Sequence, residues 1–102
     1  YNEYYETACE YHQTEEAGNI RSVIPAWDTL RIQIGQKAEL TFRGVPGTDD
    51  LILKGSISSM NSNNPADKVN IQYRIDGSFS ADSLAGHSKS GKVKILIREA
   101  RS

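Results

Sequence analysis

The sequence holds one cysteine, one methionine, one tryptophan and three prolines among 102 residues. With Cys9 alone, no disulfide can form within the chain, so the fold rests on its own apolar core and its hydrogen bonds. No apolar run exceeds a few residues. A membrane-spanning helix needs roughly 20, so the chain itself is not expected to insert into a membrane. An excess of one charge is also missing, since twelve Lys and Arg against thirteen Asp and Glu leave a net charge of −1. That balance lacks the basic footprint of a nucleic-acid binder, and no nucleic-acid contact is expected. What is present is ordinary for a globular domain: 37% hydrophobic and 25% charged residues, with eight glycines. Collagen-like, mucin-like and disordered chains are excluded by that composition. The length suits one domain over 1–102, divided into an acidic, tyrosine-rich segment 1–18 and a barrel core over 19–98. The chain opens on Tyr1 without an initiator methionine or signal peptide, as expected of a processed form or a piece of something longer.

Periodicity points to strands. Val69, Ile71, Tyr73 and Ile75 alternate with Lys68, Asn70, Gln72 and Arg74, the period of a strand with one buried face. The same rhythm runs through Leu30, Ile32, Ile34, through Ala38, Leu40, Phe42, and through Val93, Ile95, Ile97. Leu51 to Leu53 and Ile57 read as a further strand interrupted at Gly55, where a bulge, a bend or a close backbone approach is expected. Asn19 to Ile24 is a shorter strand closed by Pro25. Over Tyr4–Gln13, Tyr4, Ala8 and Tyr11 fit a helical face, whereas Tyr5, Thr7, Cys9 and Tyr11 fit a strand face. The tyrosine richness and the β setting favour the strand.

Breakers fall at Gly18, Pro25, Gly35-Gln36, Pro46-Gly47, Asn61–Pro65, Asp76-Gly77, and Gly86 with Gly91, so turns are expected there. The polar stretch Asn61–Asp67 is expected to be the mobile loop. Six or seven short strands without a convincing helix make an all-β domain, a small antiparallel β-barrel or sandwich.

Little in the sequence points to catalysis. The two histidines, His12 and His87, sit in no nucleophile motif, and His87 reads as a surface histidine on a turn. Cys9 with His12 lacks the ligand density of a zinc site. Asp49-Asp50 lacks the further oxygen donors of a calcium loop, and Gly44-Val45-Pro46-Gly47 lacks the Lys-Ser/Thr ending of a phosphate loop. No enzyme activity, cofactor or metal is expected.

Charge and aromatics instead suggest contacts with other proteins. Residues 1–18 carry −5, with five glutamates and no Lys or Arg, whereas residues 87–102 carry +4. Such a split gives two solvated strand faces, pairs the two ends of one domain, or steers one copy's tail towards another copy's head. Trp27 reads as an interface anchor or as a lid over an open core end. The tyrosines Tyr1, Tyr4, Tyr5 and Tyr11 either pack on a neighbouring subunit or cap the barrel with their hydroxyls in water. The candidate interface residues are Tyr4, Tyr5, Tyr11, Trp27, Lys92, Lys94 and Arg98.

Several segments carry a family likeness. Ile20–Asp28, Ile34-Gly35-Gln36-Lys37-Ala38-Glu39-Leu40-Thr41-Phe42, Val45-Pro46-Gly47, Leu53–Met60, and Leu84-Ala85-Gly86-His87 with Gly91–Ile95 occur in the order and spacing of a known barrel. Over residues 20–98 the chain resembles the β-barrel domain of haemolysin-D-like membrane fusion proteins, the periplasmic adaptors of secretion and efflux systems. Where that family has Gly-Met, this chain has Gly86-His87, and no lipoyl-like half-motif or coiled-coil hairpin accompanies it. Gly55–Ser59 with Asn64–Ser78 also resembles the closing hairpin of phage tail-tube proteins, and Trp27-Asp28 with Ile34–Lys37 is similar to their central region.

Both likenesses imply a non-enzymatic module that packs as a homo-oligomer or in a larger assembly around a conduit. Its setting is the periplasm or cell envelope for an adaptor and the virion for a tail tube. A ligand-binding Ig-like module is the third alternative.

Overall fold

A computed structural model describes residues 1–25, 31–63 and 68–99. Six strands form in chain order: β1 Glu3–Gln13, β2 Asn19–Pro25, β3 Lys37–Gly44, β4 Leu51–Asn63, β5 Lys68–Ile75 and β6 His87–Arg98. All neighbours are antiparallel, and the order β1-β2-β5-β4-β3-β6 closes on itself through β6 and β1. The domain is therefore one closed sheet rather than the two-sheet sandwich of an Ig-like module. Hairpins join β1 to β2, β3 to β4 and β4 to β5. The connection from β5 to β6 crosses one barrel end and contains a short 3-10 turn, Ala81–Leu84.

Alternation explains the closure. Val69, Ile71, Tyr73 and Ile75 of β5 are all buried, as are Ile20 and Ile24 of β2, Leu40 and Phe42 of β3, and Val93 and Ile95 of β6. These side chains fill the interior, so the barrel is a packed core and not a channel. The segment over 1–18 belongs to that core as well. β1 pairs with β6 on one side and β2 on the other, and its Tyr11 is buried against Phe42 with ring centroids 4.3 Å apart. The barrel thus begins at Glu3, not at residue 19.

Two glycines sit where a side chain has no room. A Cβ on Gly55 would lie 2.3 Å from the Arg74 carbonyl oxygen. A Cβ on Gly91 would lie 2.0 Å from the Thr41 carbonyl oxygen and 3.2 Å from the Tyr11 ring. Gly91, expected as a breaker, is instead a mid-strand position over which the Tyr11 ring lies. Gly55 likewise does not interrupt β4. There the strand changes partner, from β3 over Leu51–Ser56 to β5 over Gly55–Asn63. A register shift between Ile57 and Ser59 then lets Ile57 and Met60 both face the core.

Two sequence expectations are corrected here. The rhythm at Ile32 and Ile34 is not a strand. Ile32 is 4% exposed, Ile34 is 66% exposed, and residues 33–36 turn. The Gln36 side chain holds that turn, donating to the Arg31 carbonyl and accepting from the Gln33 N–H, each at 3.0 Å. Leu30 lies outside the described residues. Asn61–Asn63 continue β4 rather than opening a loop, and residues 64–67 lie outside the described residues. Among the described residues no helix is long and apolar enough to cross a membrane.

Gly91→Ala is expected to destabilise the barrel by about 1–3 kcal/mol, the cost of overpacking a close-packed site. A lower urea midpoint at unchanged slope would show it. A wild-type midpoint would mean that β6 does not approach Thr41 as closely as described.

Candidate functional site

Two surfaces gather the residues that matter, an outer wall and a cleft at one barrel end. The wall is made by β1 and β6, whose register runs from Glu3↔Arg98 to Glu10↔Ser90. Even-numbered side chains of both strands point outward. Tyr4 is exposed, with Lys94 Nζ 4.4 Å from its ring centroid. Lys92 Nζ lies 3.1 Å from Glu6, and Arg98 lies 3.3 Å from Glu3, which also meets Arg31. The register extends the pattern into a row across four strands, Glu6, Lys94, Glu39 and Lys54. Exposed pairs of this kind contribute roughly 0.2–1 kcal/mol each. Their geometric meaning is larger. The acidic first segment and the basic last strand lie side by side in one chain and pair with each other, so neither is left as a bare face for a neighbour.

The seven candidate interface residues therefore separate. Tyr4, Lys92, Lys94 and Arg98 share the wall. Tyr5 turns inward and packs on the core. Tyr11 is 2% exposed and its hydroxyl donates to the Lys92 carbonyl at 2.5 Å, which makes it a core residue and takes it off any outer interface. Trp27 lies outside the described residues.

The cleft arises where β1 and β6 part. Their ladder stops at Glu10↔Ser90, and beyond it Tyr11–Gln13 pair with β2. The opened seam holds about 270 Å³. Its floor is apolar, made by Tyr11, Ile20, Phe42 and Leu84, and its sides are His12 and Gln13 from β1 with His87, Ser88 and Lys89 from β6. Ala85 and Asp82 of the crossing connection form the rim. Barrel mouths are common places for binding sites, because strand ends and connections leave concave, partly apolar space there.

Both histidines of the chain line this one cleft, which the sequence did not indicate. His12 Nε2 lies 3.0 Å from Glu10. His87 is half-buried, with Nδ1 3.0 Å from the Ala85 carbonyl oxygen and Nε2 3.0 Å from that of Asp49, so its ring ties the β3–β4 connection to the start of β6. The usable signal was topological: in a closed barrel the end of the first strand meets the start of the last. Asp50 is engaged locally, accepting the Gly44 N–H at 2.9 Å. Among the described residues no group of three or more His, Cys, Asp or Glu could hold a metal ion.

No protein-family model, curated protein or solved structure matches the chain.

Behind the cleft lies a buried polar cluster. Burial pushes the Cys9 thiol up from its ordinary 9.0 to about 11, against a lowering hydrogen bond with Tyr11. Burial also raises the Tyr11 and Tyr73 hydroxyls, and the Tyr73 hydroxyl lies 2.7 Å from Ser22 Oγ. Above pH 9 the unfolded chain gives up its thiol proton before the folded one, so stability that is complete below pH 9 declines as pH rises towards 11. The tyrosines act in the same direction. Urea midpoints are expected to fall between pH 8 and pH 10.5, and iodoacetamide is expected to label Cys9 far more slowly in the folded than in the urea-unfolded chain at pH 8. Equal labelling rates would show that the thiol is not enclosed.

Proposed function

We propose that the chain is a non-enzymatic packing module, the barrel domain of a secretion or efflux adaptor, which assembles with copies of itself or partner proteins around a conduit in the periplasm or cell envelope. The observation that carries this reading is the filled interior. Tyr11, Phe42 and Tyr73 occupy the inside of the barrel, so nothing passes through one copy and a conduit is bounded by several. The segments similar to adaptor barrels fall on β2 to β6, which supports the same reading. A binding role is favoured over nucleophilic catalysis by the partners of the cleft histidines. They are a carboxylate and two backbone carbonyls, and among the described residues no serine or cysteine is held against either ring.

The second reading, a virion tail-tube protein, is favoured by one observation. Gly55–Asn63 and Lys68–Ile75 pair as a hairpin that ends at Asp76-Gly77, the arrangement its likeness implies.

Sedimentation across a concentration series, with negative-stain images of the same samples, tests both. Growth of mass with concentration into closed rings is the expected outcome. Long tubes from this chain alone would move it to the tail-tube reading. A monomer at every concentration would overturn self-assembly.

A further inference from the structure

The outer wall is an incomplete contact. Its charges already have partners within the chain, which suits the wet rim of an interface and not its desolvated centre. An apolar centre is supplied by the cleft at one end of the barrel and by a knob at the other. Of the large apolar side chains exposed among the described residues, Ile34 is the most open after Tyr1. It stands on a braced turn, with the Gly35 N–H donating to the Ile57 carbonyl at 2.8 Å and the Ile57 N–H donating to the Gln36 carbonyl at 2.9 Å. That turn leads into Lys37, the first residue of β3, whereas Phe42 near the end of β3 lines the cleft floor. Roughly 17 Å of strand separates the two, so a single copy cannot bring its own knob to its own cleft.

Charge follows the same axis. The connections at the cleft end, 14–18, 45–50 and 76–86, have no lysine or arginine and bring Glu15, Glu16, Asp49, Asp50 and Asp82 to that end, beside Lys89 of the cleft wall, whereas Asp76 lines an outer pocket with Lys37, Lys54 and Lys94. At the other end, Arg31 and Lys37 flank the knob in the chain and Lys68 opens β5, while Arg31 and Arg98 share Glu3 as their partner. The cleft, at about 270 Å³, exceeds the roughly 150 Å³ that admits a benzene ring.

We infer that a second copy of this chain docks end to end on the first, its Ile34 entering the cleft over Tyr11, Phe42 and Leu84 while its basic end meets the acidic connections. The inference rests on the self-assembly proposed above and names its contact. Knob and cleft lie on different surfaces, so the contact is heterologous, and each copy keeps one free end from which a ring or filament grows. The acidic mouth steers the approach, and added salt slows it.

Two exposed positions test this without touching the core: Ile34→Asp removes the knob, and Ala85→Arg obstructs the cleft rim. Urea midpoints and circular dichroism verify that each variant folds. Each variant alone is expected to associate at least about 10-fold more weakly than wild type. Mixed in equal amounts, they are expected to form a one-to-one dimer and nothing larger, since one retains a cleft and the other a knob. Ile52→Asp, which removes an exposed apolar side chain outside the cleft, is expected to leave association unchanged. Association of Ile34→Asp at wild-type strength, a mixture that stays monomeric, or an equal loss with Ile52→Asp would overturn the end-to-end contact while self-assembly stands. A wild-type chain that never associates would overturn self-assembly, and this contact with it.

Discussion

The pairing of β1 with β6 is the contact on which the rest of the barrel depends. A six-stranded antiparallel sheet left open would present two rows of unpaired backbone groups, a template for uncontrolled pairing. Here the first strand meets the last over Glu3 to Glu10, and the edges disappear along that length. Salt bridges decorate this seam without being its main support, because exposed pairs are worth a fraction of a buried side chain. Burial of Tyr11, Val93 and Ile95 along the inner face of the same two strands contributes roughly 1.5–3 kcal/mol per large residue. The close approach at Gly91 follows from this packing, since the Tyr11 ring takes the space that a β6 side chain would fill.

Polar groups inside the barrel fix how the strands align. The Tyr11 hydroxyl reaches the Lys92 backbone, and Tyr73 meets Ser22 across two strands. A buried hydroxyl left without a partner costs about 1–3 kcal/mol. Sliding β1 or β5 by one residue would strand these hydroxyls and turn the apolar set outward at the same time. One register satisfies both demands.

Much of this architecture was legible in alternation alone. β5 reads directly from Lys68–Ile75, and the strand character of Glu3–Gln13 was carried by Tyr5, Thr7, Cys9 and Tyr11 on one face. Ile32 and Ile34 misled because alternation records spacing but not hydrogen bonding; the Gln36 side chain takes up the Arg31 carbonyl and the Gln33 N–H, and the chain turns before it meets β4 at Gly35 and Gln36. At Gly55 the sequence allows a bulge, a bend or a close approach; the structure has the close approach, to the Arg74 carbonyl, and the strand runs on through it as β4 trades one partner for another. The wall was half legible, since opposite charges at the two ends of the chain suggested a pairing without saying within which molecule. The cleft was not legible, because it exists only where two strands distant in sequence stop pairing, and no residue type marks that point.

The register Glu3↔Arg98 also places the two ends of the fold side by side. Chain entering the barrel and chain leaving it run as neighbours at one end, as the two stems of a hairpin do. Such a barrel is insertable. It can sit within a longer polypeptide as a bead on a loop, without parting the segments on either side. By the same geometry, joining the two ends and reopening the chain between Val45 and Asp50 would reorder the sequence while keeping every pairing within the sheet.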